Sequence, residues 1–331
     1  MSGLDVADLL ADAPAPDRSA RRAVAARAER VIRPAGAFAR LDEIAGWLAS
    51  WQRTERPHVD APAHIVFAAD HGVASERVSV APVGVTAAMV RAMREGHATA
   101  AVLARAVGAS FSVVDVGTGR PTGNLAREPA LDAGRFRSCF EAGRSAVRGL
   151  DADLLVLGEM GIGNTTAAAA VACSVFGMTA EDWTGRGTGI DDAALARKID
   201  AVRRGCQRVG DVGPFDSLRE LGGAELAALA GAAVEARLRS LPLVMDGFVV
   251  TAALAPLERI SSGALDHCIA GHRSPEPGHA LLLEKLGKEP VLDLGLKLGE
   301  GSGALAAVPL VRLAALAVTE VATFEDAGID L

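Results

Sequence analysis

LLVLGEMGIGNTTAAAAV, residues 154–171, begins as a strand and ends as a helix. The first half, LLVLG, is apolar without alternation; the second is rich in alanine, the strongest helix former. A Gly-Glu pair, two more glycines, Asn164 and two threonines turn the chain between them. A strand apolar on both faces that runs straight into a helix is the unit of a parallel sheet covered on both sides.

The pattern recurs. Further strand candidates are HIVFAAD (64–70), FSVVDVG (111–117), LPLVMDG (241–247), HCIAGH (267–272) and PVLDLG (290–295). Helical patterns separate them around 84–107, 134–149, 163–177, 191–210, 222–240, 248–258, 275–287 and 303–317. The expected fold class is α/β, a parallel sheet of about six strands flanked by helices. Near the N-terminus, residues 18–31 read as an Arg/Ala helix, 39–53 as a second helix, and TERPHVDAPA (54–63) as a linker. Helices from both chain ends are expected to form a small helical domain, 1–59 plus 301–331, beside a large α/β domain, 60–300.

Of the 331 residues half are hydrophobic, so a sizeable core can form; net charge is −7 with acids and bases mixed. Phosphate-backbone binders concentrate Lys and Arg, so nucleic acid is not the expected partner. Cys139, Cys173, Cys206 and Cys268 lie far apart without C-x-x-C, which points to reduced core cysteines and no metal site. No apolar leader opens the chain, and the longest apolar stretch, GALAAVPLVRLAALAV (303–318), is interrupted by Pro309 and Arg312. The reading is a soluble cytoplasmic protein without a membrane span.

Polar residues gather where the strands end: Asp70-His71-Gly72, Gly158-Glu159, Asp246-Gly247 and Gly271-His272-Arg273-Ser274. Open α/β sheets bind ligands outside the carboxyl ends of their strands. Gly161, Gly163, Asn164 and Thr165 then read as a helix start that either binds an anion or simply turns the chain, with Asn or Thr as cap. The stretch matches neither a P-loop nor a dinucleotide fingerprint. Gly187, Thr188 and Gly189 lie in a second glycine-rich loop, before a helix carrying Lys198; by itself Lys198 reads as a solvated lysine beside Arg197. Ser274 and Pro275 read as cap and first residue of a helix, a device that accounts for neither His272 nor His279. The sharpest signal is Leu298-Gly299-Glu300-Gly301-Ser302-Gly303. A glutamate fenced by glycines is either desolvated against a ligand, where it can take a proton near neutrality, or part of a flexible exposed loop.

Seven motifs occur in order: AADHGV (68–73), GEMGIGNTT (158–166), GRGTGIDD (185–192), LGGAELAALAG (221–231), DGF (246–248), GHRSPEPGH (271–279) and LGEGSGA (298–304). From about residue 33 onward the chain resembles the nicotinate-nucleotide–dimethylbenzimidazole phosphoribosyltransferase family. The resemblance implies a Rossmann-like sheet, a homodimer, no cofactor, and small-molecule substrates: nicotinate mononucleotide and a benzimidazole-type base. It implies Glu300 as general base and Glu159 as a second active-site carboxylate. Gly161, Gly163, Asn164, Thr165, Gly187, Thr188, Gly189 and Lys198 would hold the nucleotide and its phosphate; Asp70, His71, Ser75, Val83 and Met160 would line the base side. Val83 stands where the family carries a glutamine, which leaves open another azole, a purine or a phenol as acceptor. A non-catalytic nucleotide-binding homologue is the reading from another class; retention of both glutamates speaks against it.

Overall fold

Parallel strands need crossovers, and in this chain each crossover lays helices on one face of the sheet. The computed structural model describes residues 3–82, 84–187 and 189–329, with side chains from residue 6 onward. Its six strands are β1 (Pro62–Ala69), β2 (Ser110–Gly117), β3 (Leu154–Met160), β4 (Leu243–Met245), β5 (Cys268–His272) and β6 (Pro290–Leu292). They pair in parallel in the order β2-β1-β3-β4-β5-β6. The chain runs outward from β1 to β2 and then returns to β3 on the other side of β1. That reversal opens a crevice at the carboxyl ends of β1 and β3, where ligands of such sheets sit.

Alternate strand residues feed two cores, as the two-residue period requires. Ile65, Phe67, Leu155, Leu157, Leu243 and Met245 face one core. It is shared with α6 (Ala133–Arg148), α7 (Asn164–Phe176), α10 (Pro214–Leu221), α11 (Ala224–Leu238) and α12 (Phe248–Ile260). Leu154, Val156 and Val244 face the other, with α2 (Arg18–Ala28), α3 (Ala39–Gln52) and α14 (Ser302–Thr319). The helices from the two chain ends therefore pack together and directly on the sheet, and Arg27 Nε ties them by donating to the Val318 carbonyl at 2.7 Å. Helix α14 has the length and apolar character to cross a membrane, but 61% of it is buried inside the fold.

The six strand candidates form strands, and the helix candidates form helices with three changes. The pattern at 84–107 is two helices, α4 (Val85–Arg94) and α5 (Thr99–Ala106), broken where Gly96 takes φ +78°. The helix expected from Pro275 starts at Pro277, after Glu276, as α13 (Pro277–Lys285). Ser274 is not its cap: its N–H donates to His279 Nδ1 at 3.0 Å, and Glu276 takes the cap position. Four short elements fall outside the expected set: α1 (Gly3–Ala11), a 3-10 turn (Gly72–Glu76), α8 (Ala180–Trp183) and α10. The remaining helix, α9 (Asp192–Val209), is capped by Asp191, which accepts the Ala194 N–H.

Candidate active site

At the carboxyl ends of β3, β4 and β5 lies a cavity of about 300 Å³, lined by Glu159, Asp246, His272 and Glu300 among others. The glutamate loop forms one wall. Gly299, Glu300 and Gly301 take φ of +89°, +61° and +76°, three left-handed residues in succession. Left-handed backbone costs a non-glycine residue about 1–2 kcal/mol, so neighbours must hold Glu300 there.

Those neighbours are close. The Glu300 N–H donates to the Glu159 carbonyl at 3.2 Å. Asp246 accepts the Gly301 N–H at 3.2 Å and the Ala304 N–H at 2.9 Å, and pairs with His272 Nε2 at 3.3 Å. A Cβ on Gly158 would lie 2.4 Å from the Glu300 carbonyl carbon, and one on Gly303 would lie 2.1 Å from His272 Cδ2. Glycine is needed at both because backbone and ring pass in contact. Gly158→Ala should push the Glu300 peptide off its position and lower kcat at least about tenfold, since displacements near 1 Å are costly to catalysis. Steady-state kinetics, with a melting curve to confirm the fold, check this; wild-type kcat would show that the loop yields freely.

Burial raises the Asp246 carboxyl, but bonds from His272 and from the Ala304 and Gly247 N–H groups outweigh it and hold the group below its ordinary value. Glu159, buried and near Asp246, Glu225 and Glu300, is pushed up to about 8, against the pull of its Asn164 bond. Glu300 is raised by burial and by Asp246, with the Ala100 N–H at 3.4 Å opposing. Burial, reinforced by one ionised aspartate, thus makes two glutamates better proton acceptors.

The other wall suits an anion. Gly163, φ +96°, precedes α7, and Gly161, Gly163, Asn164 and Thr165 line the cavity at that helix start. Asn164 is not a helix cap: its amide donates to Glu159 Oε2 instead. Lys198 is not solvated but 1% exposed, with Nζ donating to Thr165 Oγ1 and the Gly185 carbonyl, each at 2.9 Å. Burial lowers its ammonium to about 8, with Glu276 opposing. Glu276 Oε1 in turn accepts the Gly187 N–H at 2.7 Å, which fixes the second glycine loop against α13. The rest of the lining is largely apolar, with Val78, Ala81, Val85, Met89, Met160 and Leu298.

Glu159, Met160, Gly161, Gly163, Asn164, Thr165, Gly187, Lys198 and Glu300 therefore meet on one cavity. Asp70, His71, Ser75 and Gly189 do not line it. Asp70 accepts the Gly119 N–H at 2.7 Å, His71 Nε2 meets Glu225 Oε1 at 2.5 Å, and Ser75 Oγ donates to the Gly72 carbonyl at 2.7 Å. His71 and Glu225 lie beneath the turn, where a Cβ on Gly161 would meet Glu225 Oε1 at 3.0 Å. Val83 and Thr188 lie outside the described residues. Asp246 and His272 end strands in the sequence but carry no assigned role there; the glycines of the Glu300 loop imply close neighbours without naming them. Among the described residues, the group that could hold a metal is His58, Asp60 and Asp153. It sits just before β3, at the end of the sheet away from the cavity.

The sequence model of a phosphoribosyltransferase family matches residues 13–329. The nicotinate-nucleotide–dimethylbenzimidazole phosphoribosyltransferase of Ruegeria pomeroyi is 46% identical over 322 residues, 97% of this chain and 96% of its own. The chain belongs to that family. The enzyme of the same name from Cereibacter sphaeroides is 44% identical over 96% of this chain and 94% of its own. The crystal structure of the Thermus thermophilus enzyme superposes with a TM-score of 0.90 at 39% identity, covering 95% of this chain and 99% of that one. As a member of this phosphoribosyltransferase family the protein is a pentosyl-transferring enzyme. A cavity that two glutamates share with a glycine-rich helix start and a buried lysine is in keeping with that chemistry.

Proposed function

We propose that the enzyme transfers the phosphoribosyl group of nicotinate mononucleotide to 5,6-dimethylbenzimidazole, releasing nicotinate and forming α-ribazole 5′-phosphate. The observation that carries the reading is the arrangement of one cavity. Glu159 and Glu300 are joined through the Glu300 N–H, and the Thr165–Lys198 anion wall faces the same space. The phosphate docks on α7 and Lys198, which sets C1′ before the glutamates. A base nitrogen forms the new bond to C1′ as the bond to the nicotinate nitrogen breaks, inverting the ribose to α. The leaving pyridinium recovers its ring electrons and needs no acid. Glu300 takes the N–H proton of the acceptor, and Glu159 stabilises the oxocarbenium-like charge at C1′.

The apolar lining around Met89, Met160 and Leu298 suits a methylated base. A homodimer is part of the proposal, supported by Leu313 and Leu316, which stand 53% and 43% exposed on α14. So are a cytoplasmic setting and a smaller helical unit of α2, α3 and α14, which share one core. Purified enzyme given nicotinate mononucleotide and dimethylbenzimidazole should release nicotinate and α-ribazole 5′-phosphate in equal amounts, identified by mass spectrometry and NMR. Consumption of a different base from a mixed panel would replace the acceptor. Tight mononucleotide binding without turnover on any base would sink the catalytic reading.

A further inference from the structure

The Glu300 loop is braced by a side chain that the chemistry above leaves without a role. His64, on β1, is 1% exposed, and neither ring nitrogen completes a hydrogen bond. Its ring packs against Phe111, with centroids 5.1 Å apart. On its other side a Cβ on Gly301 would lie 2.3 Å from His64 Nε2 and 3.1 Å from Cδ2. Gly301 is glycine twice over, for its φ of +76° and for the imidazole against it. A buried, unpaired nitrogen is costly and calls for a partner. The backbone acceptor at hand is the Glu300 carbonyl. It lies one residue before the cap Gly301, outside the helix ladder, whose first carbonyl is that of Gly301, and the Ala304 N–H is capped by Asp246 at 2.9 Å.

We infer that His64 is a positioning residue for Glu300, donating its Nε2–H to the Glu300 carbonyl and holding that peptide left-handed when the site is filled. Active-site bonds are often long in the ligand-free state and tighten on substrate binding. Burial holds the imidazole down to about 4, against the pull of Asp246, so the ring is neutral and carries one N–H across the working range. The tautomer with hydrogen on Nε2 aims that N–H at the loop. Asp246 and His64 then serve complementary groups of the loop, the carboxylate taking its N–H groups and the imidazole its carbonyl.

The inference rests on Glu300 as base, and its test separates the two. His64→Leu keeps bulk and removes the donor; His64→Gln keeps a donor. The leucine variant should lose kcat about tenfold, or about 1.4 kcal/mol, with KM for nicotinate mononucleotide unchanged, and glutamine should restore most of it. A leucine variant with wild-type kcat, or a glutamine variant no better than leucine, overturns the positioning role. In the wild-type protein, 15N NMR should show a neutral His64 with hydrogen on Nε2; the opposite tautomer or a charged ring overturns it without any variant. If Glu300→Gln keeps its turnover, the base assignment fails; if it is inactive while His64→Leu is unaffected, only the positioning fails.

Discussion

Glu300→Gln should lower kcat by about a thousandfold, within the range a positioned general base contributes, while nicotinate mononucleotide binds within a few-fold of wild type. The amide keeps the size of the carboxylate and can still accept the Ala100 N–H that meets Oε2 at 3.4 Å. It cannot take a proton from the incoming base. The pH profile gives a second check. A base works when ionised, and burial with Asp246 raises Glu300 above its ordinary 4.5. Activity should therefore fall as pH drops through a value above 4.5, and this acid limb should vanish in the residual activity of the variant. Glu159 stands at about 8 in the ligand-free protein and holds its proton at neutrality. Arrival of the cationic nicotinate ring favours its ionisation, so the two glutamates are not interchangeable. Unchanged turnover in Glu300→Gln, measured by nicotinate release, would move the base to Glu159.

Lys198→Met should raise KM for nicotinate mononucleotide about a hundredfold, the scale of a charge-assisted bond lost in a dry site, with a smaller change in kcat. Methionine fills the channel of the buried stem, so the loss is one of charge rather than packing. The ammonium, lowered to about 8 by burial, is charged below that pH and neutral above it. Mononucleotide affinity in the wild type should then weaken as pH rises through about 8, and the variant should lack that dependence. Calorimetric titration from neutral to mildly alkaline pH checks both. Equal affinity in wild type and variant would place the phosphate elsewhere.

The sheet is legible in the residues because each strand announces itself locally. Runs such as IVFAA and LLVLG have no polar position to face water, and glycine or aspartate stops them at the site end. Turn chemistry is less legible. Ser274-Pro275 and Glu276-Pro277 offer the same proline signal two residues apart, and His279, bonded to the Ser274 N–H, decides between them. The break inside 84–107 rests on a single left-handed glycine in a run of good helix formers.

Composition and spacing by themselves determined an α/β sheet, the strand ends where polar residues collect, and a glycine-fenced Glu300. These follow from forces that act within a few residues. Only the tertiary structure decided that Lys198 is buried on Thr165, 33 residues away, that Asp246 grips Gly301 across 55, and that His71 pairs with Glu225 across 154. A charged side chain looks the same in a sequence whether water or protein surrounds it. Its partner and its proton affinity come from chain segments that meet only when the sheet closes, and no local pattern encodes them.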